Sequence, residues 1–155
     1  MAQLYLVRHA KAGERRLWNA DDIERPLSKK GWKQAELVGK RLAKHDPSVL
    51  LSSAYVRCIQ TLEPLGERLD LQVEVDERLT EHEPVEPLLE LIREAPKGAV
   101  MCSHGDLIPA ALQRLKKAGA KIATQPDWRK SSVWVLQRSK HGHIVKATAW
   151  PPPVL

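Results

Sequence analysis

Three short segments end in side chains suited to handling phosphate. Arg8 and His9 follow the apolar run Leu4 to Val7, Ser52 and Ser53 follow Val49 to Leu51 with Arg57 a few residues on, and Ser103, His104 and Gly105 follow Ala99 to Cys102. An imidazole with a pKa near ~6.5 is largely free base at neutral pH and can act as a nucleophile, and neighbouring guanidiniums lower that pKa further. Two guanidiniums can grip a phosphoryl group with paired donors and neutralise its equatorial oxygens, which is most of what phosphoryl transfer asks of a protein. The pattern implies a phosphate pocket built from Arg8, Arg57 and His104 around a nucleophilic His9. His104, opening a helix whose positive end also favours an anion, would donate to the same group.

Rival chemistries lack their letters. A metal site on His9 and His104 is disfavoured by the adjacent Arg8 and by the lack of other ligands at zinc spacing. A cysteine-based phosphatase needs an arginine six positions after its cysteine, yet Pro64 follows Cys58 and Ile108 follows Cys102 at that distance. The Walker loop and the serine-hydrolase elbow are absent. No cofactor is called for.

The elements that must position these groups can be read from periodicity. The runs at Leu4 to Val7, Val49 to Leu51 and Ala99 to Cys102 are short and unalternating, as strands buried on both faces of a parallel sheet are. Helical stripes lie between and after them: Trp32, Ala35, Val38, Gly39 and Leu42; Val85, Leu88, Leu89 and Ile92; and Leu107, Ile108, Ala111, Leu112 and Leu115. The alternating Leu71, Val73 and Val75 suggest a further strand, and Ser132 to Gln137 with Ile144 to Ala149 suggest a closing pair around Lys140 to Gly142. Pro64 is expected to break the helix that follows Ala54. The tail Pro151 to Pro153 is expected to run as extended surface chain. These signals give an α/β protein, a three-layer α/β/α sandwich with a mostly parallel sheet. In such a sheet the carboxyl ends of the strands form the ligand crevice.

The 155 residues fit a single domain spanning 1–155, with 43% hydrophobic and 28% charged residues in ordinary globular proportion. The net charge of +6 suits an anionic small substrate, and nucleic acid is not the preferred partner. No apolar run reaches membrane-spanning length and no leader is read at the N-terminus, so no membrane partner is expected. Cys58 and Cys102 are too few for a disulfide framework, and the expected compartment is the reducing cytoplasm. Oligomeric state is not legible.

The ordered set Leu-Val-Arg8-His9-Ala10, Arg-Pro-Leu-Ser-Lys-Lys-Gly31, Ser52-Ser53 with Arg57 and Thr61, and Ser103-His104-Gly105 resembles the histidine phosphatase superfamily, the phosphoglycerate mutase-like fold. The resemblance covers nearly the whole chain. Among branches it is similar both to short SixA-like phosphohistidine phosphatases and to phosphatase domains attached to Nudix hydrolases. It implies a metal-independent phosphatase acting on a phosphomonoester or a protein phosphohistidine through transient phosphorylation of His9, with Arg8, Arg57 and His104 holding the phosphoryl group. Glu81, after Arg78-Leu79-Thr80, is taken as the proton donor, with Glu83 its competitor. If this segment is extended, the two carboxylates face opposite ways. The alternatives are a mutase, or a phosphate- or nucleotide-binding module without turnover. Ala10 and Ala12 depart from the family's usual Gly and Ser or Thr. Lys11, Arg15 and Arg16 are the cations available to compensate, and Lys11 is taken as a substrate contact.

Overall fold

The computed structural model describes residues 1–155 and contains a seven-stranded sheet in the order β3-β2-β4-β1-β6-β7-β5. The strands are β1 (Ala2–Arg8), β2 (Val49–Ser52), β3 (Val73–Val75), β4 (Ala99–Ser103), β5 (Lys121–Ile122), β6 (Val133–Arg138) and β7 (Ile144–Trp150). Only β6 opposes the others, pairing antiparallel with β1 and β7. The sheet is therefore mostly parallel, with the expected closing hairpin at one side.

The unalternating runs are explained by two cores. Along β1, Leu4 and Leu6 enter one apolar cluster while Tyr5 and Val7 enter the other. The same split divides Ala99 and Met101 from Val100 and Cys102 on β4, and Trp134 and Leu136 from Val133 and Val135 on β6. Side chains alternate in direction along a strand, but both faces are covered, so every position is apolar. Each fully buried leucine contributes about 1.5–3 kcal/mol relative to exposure.

The helices that cover the faces are α1 (Lys29–Ala43), α2 (Val56–Leu69), α3 (Val85–Glu94) and α4 (Leu107–Lys117). Helices α1 and α2 close the Tyr5 face, and α3 and α4 close the Leu6 face. Helix α1 starts at the Ser28 cap, whose Oγ accepts from the Gly31 amide at 3.1 Å. Gly31 is required there, because a Cβ would overlap the Lys11 carbonyl oxygen.

Two expectations fail. Helix α2 runs unbroken through Pro64. The missing amide costs one backbone bond, and the buried Leu62, Leu65 and Gly66 around it hold the helix in place. The strand expected from Leu71 shrinks to Val73–Val75 at the sheet edge. The tail from Pro151 is irregular chain as expected, with Pro151 and Pro153 lying beside Leu37, Val38 and Trp150. No helix is long and apolar enough to cross a membrane.

Between β1 and α1, residues 12–27 form a loop pinched at its base by the Ala12 to Leu27 bridge and by the Gly13 amide donating to the Pro26 carbonyl at 3.1 Å. This loop carries acidic residues toward the carboxyl edge of the sheet.

Candidate active site

The carboxyl end of β4 organises the site. Its Cys102 carbonyl accepts from the Ser53 amide at 3.2 Å, and its Ser103 carbonyl accepts from the His9 amide at 3.1 Å. Three chain segments are thereby locked side by side at one edge. The Ser103 hydroxyl donates to the Leu79 carbonyl at 2.7 Å, anchoring the segment that leads to Glu81.

His9 is buried, 6% exposed. Its Nδ1 lies 2.8 Å from the Ala10 carbonyl, which can only accept, so Nδ1 carries the proton and Nε2 keeps its lone pair. The Ala10 amide donates to Thr61 Oγ1 at 2.9 Å, and that hydroxyl donates to the Arg57 carbonyl at 2.7 Å. Burial lowers the His9 pKa to about 3 against the opposing pull of the Ala10 carbonyl, and the charges of His104, Arg57 and Arg8 push it the same way. The ring is neutral at physiological pH.

Around this imidazole stand the other expected residues. The His104 ring meets His9 edge-on at 5.4 Å between centroids, and its Nε2 lies 2.9 Å from Ser53 Oγ and 3.5 Å from Cys58 Sγ. Arg57 is 1% exposed and stacks over Tyr55 at 4.7 Å. Its guanidinium donates to the Asp22 carbonyl at 3.0 Å, to Asp22 Oδ2 at 3.2 Å and to Glu81 Oε2 at 3.2 Å. Arg8 donates to the Trp128 carbonyl at 2.6 Å and lies against Gly105, where a Cβ would come within 2.7 Å of its Cζ. Burial lowers the Arg8 pKa, and the Glu81 charge partly restores it.

Four buried side-chain nitrogens have no partner: Arg8 Nε, Arg57 Nε, His104 Nδ1 and Trp134 Nε1. Three of the four belong to the residues the sequence singled out around His9. Buried polar groups are otherwise almost always satisfied, so a concentration of orphans at one edge marks a place for an acceptor-rich ligand. Guanidinium and imidazole N–H groups hold an oxyanion.

Glu81 and Glu83 are separated by a turn. His82 has φ 72°, and its amide donates to Asp106 Oδ2 at 2.9 Å. The segment is therefore a turn and not extended chain, and the two carboxylates still diverge. Glu81 faces Arg57 and lies 4.0 Å from His104 Nδ1, whereas Glu83 is exposed. Lys11 is exposed beside the pocket, while Arg16 turns to Glu14 and Arg15 reaches toward Asp22 at 3.6 Å.

Asp22 was not anticipated. It receives Arg57 and Arg25, the latter at 2.9 Å. Partial burial would raise its pKa, but the Arg25 hydrogen bond and the charges of Arg57, Arg25 and Arg15 hold it below the usual carboxylate value. An acidic residue in an aperiodic loop gives no sequence signal of this kind. Ser53, Tyr55 and Cys58 likewise reach His104 only through the fold.

This fold is that of a known class: the profile of the histidine phosphatase superfamily (branch 1) matches residues 4–86, and the chain belongs to that superfamily. It is 35% identical to an 8-oxo-(d)GTP phosphatase of Mycolicibacterium smegmatis, an alignment that takes in 96% of this chain and 48% of that protein. The chain thus spans about half the length of that relative. Among solved structures it is similar to the protein histidine phosphatase SixA complexed with tungstate, with TM-score 0.72, 25% identity and coverage of 96% of this chain and 94% of that one. It is also similar to a mycobacterial glucosyl-3-phosphoglycerate phosphatase complexed with VO3, with TM-score 0.70, 20% identity and coverage of 99% and 100%.

Proposed function

We propose that the chain hydrolyses phosphomonoesters, or a protein phosphohistidine, by two displacements at His9. The observation that carries this reading is the convergence of unpartnered Arg8 Nε, Arg57 Nε and His104 Nδ1 around a neutral imidazole whose Nε2 is free. That two structurally similar proteins hold tungstate and VO3 supports an oxyanion in this cradle.

In the first step His9 Nε2 attacks phosphorus and the bond to the leaving oxygen breaks. Arg8, Arg57 and His104 donate to the three equatorial oxygens, whose charge is spread in the transition state. Glu81, ion-paired with Arg57 at rest, takes a proton from the entering phosphate monoanion and passes it to the leaving oxygen. In the second step water attacks phosphorus, gives a proton to Glu81 and breaks the N–P bond, releasing inorganic phosphate, which carries that proton away, and the free imidazole. Arg57 releases Asp22 and Glu81 in part as it turns to the phosphoryl oxygens.

A phosphate-release screen across a phosphohistidine protein, nucleotides and simple phosphoesters, run beside His9→Ala, tests the reading. Release by the wild type and none by His9→Ala is expected. Equal release by both defeats it.

A further inference from the structure

Ser53 is fully buried just past the end of β2, and every polar atom it carries is engaged. Its amide donates to the Cys102 carbonyl at 3.2 Å, and its carbonyl accepts from the Ser52 hydroxyl at 2.8 Å. Its Oγ accepts from the Tyr55 amide at 3.2 Å, a serine turn that leads into α2. A hydroxyl has one hydrogen to give, and the acceptor bonded to this one is His104 Nε2 at 2.9 Å.

The proton of a neutral imidazole is placed by the bond its other nitrogen makes. With Nε2 accepting from Ser53, the His104 proton sits on Nδ1, the nitrogen that has no partner and lies 4.0 Å from Glu81 Oε1. The opposite tautomer would donate from Nε2 to Ser53. It would strand the hydroxyl hydrogen in a fully buried place and turn the Nδ1 lone pair toward a carboxylate, and buried polar groups are rarely left so.

Cys58 Sγ also lies 3.5 Å from Nε2, but the thiol has its own acceptor in the Ser103 carbonyl at 3.8 Å. Burial raises the Cys58 pKa, while hydrogen bonds with Cys102 and His104 bring it below its ordinary value. The competing arrangement is therefore a Cys58 thiolate facing a protonated His104. That arrangement gives up the thiol bond to Ser103 and still leaves the Ser53 hydrogen without an acceptor.

We propose that Ser53 is a positioning residue that sets the tautomer of His104, holding Nε2 as an acceptor so that Nδ1–H faces the phosphoryl group in the His9 pocket. The inference rests on the phosphohydrolase reading, in which His104 donates to an equatorial oxygen, and adds the residue that makes it a donor. Ser53 acts through the imidazole and not on the substrate. The same hydroxyl, by closing the turn at Tyr55, seats that ring between His104 at 4.8 Å and Arg57 at 4.7 Å. One buried side chain thus fixes the place of two of the three groups around His9.

Long-range ¹⁵N–¹H spectra of histidine-labelled wild type at pH 8, above the ordinary imidazole pKa of ~6.5, read the tautomer directly, with the His104 signals identified by their loss in His104→Gln. The wild type is expected to show a protonated Nδ1 and a bare Nε2. Ser53→Ala is expected to lose this pure form and to lower kcat/KM for a phosphomonoester at least about tenfold, since the donor to developing charge is no longer preset. A protonated Nε2 in the wild type, alone or together with Nδ1, overturns the proposal without recourse to any Ser53 variant. So does a folded Ser53→Ala protein with unchanged His104 signals. A Ser53-dependent Nδ1–H form in a chain that shows no His9-dependent phosphate release would instead defeat the hydrolase reading and leave the Ser53–His104 pair standing.

Discussion

Asp22 holds Arg57 twice, through its backbone carbonyl at 3.0 Å and its carboxylate at 3.2 Å, so a residue of the 12–27 loop occupies donors that a phosphoryl group would need. Replacing Asp22 by Asn removes the competing charge and keeps the shape. Affinity for orthovanadate is expected to rise about three- to tenfold, read as a lower inhibition constant. A weaker affinity would mean that Asp22 positions Arg57 for the substrate.

Arg57 itself is a planar fork with almost no exposure, anchored by Tyr55 and two carboxylates. Lysine cannot reproduce that geometry. Both Arg57→Lys and Arg57→Ala are expected to lower kcat/KM for a phosphomonoester by about 10²–10³, the scale of losing one preorganised donor to developing charge. A lysine variant within twofold of the wild type would contradict the paired-donor role.

The two glutamates separate by leaving group. Glu81→Gln is expected to slow alkyl phosphates by about 10²–10⁴ and p-nitrophenyl phosphate far less, because a good leaving group needs no proton. Glu83→Gln, altering an exposed side chain, is expected to stay within about twofold on both. Reversed effects would move the acid to Glu83.

Stability should fall with acid through His9. Its folded pKa, about 3, lies below the unfolded value of 6.5, so the unfolded chain takes up the proton first. The stabilisation is therefore present above pH ~6.5 and is lost as pH falls toward 3, at up to ~1.4 kcal/mol per pH unit. Urea unfolding between pH 7 and pH 4 is expected to give a steeper decline for the wild type than for His9→Asn. Parallel declines would mean that the imidazole is not buried in its neutral form.

Gly105 lets the Arg8 guanidinium lie against the backbone. Gly105→Ala is expected to cut kcat/KM at least about tenfold while costing little stability, since Arg8 can swing away but then leaves the cradle. Unchanged kinetics would remove Arg8 from it.

Much of the fold was legible because both faces of the sheet are covered. Leu4 to Val7 read as a buried strand for the same reason that Leu6 and Val7 end in different cores. Arg8, His9, Arg57, Ser103 and His104 were visible because strand ends in a parallel sheet converge whatever lies between them. What was missed depends on contacts far apart in sequence. Pro64 was read as a break because local rules count the lost amide and not the packing of Leu62 and Leu65. The two residues of β5 are too few to carry a period. Asp22 meets Arg57 across 35 positions through a loop with no repeat, and Lys130 becomes a neighbour of Arg8 only after the chain has returned through β5.

The central claim is a covalent phosphohistidine on His9. Rapid quenching of the wild type with a substrate labelled in its transferable phosphate, followed by base-stable and acid-labile recovery of the label, measures it directly. Up to one labelled phosphoryl group per chain is expected on the wild type and none on His9→Ala. Turnover by His9→Ala is expected to fall by about 10⁵, the advantage of a held nucleophile over a free one. Label on another residue, or full turnover by His9→Ala without label, would contradict it.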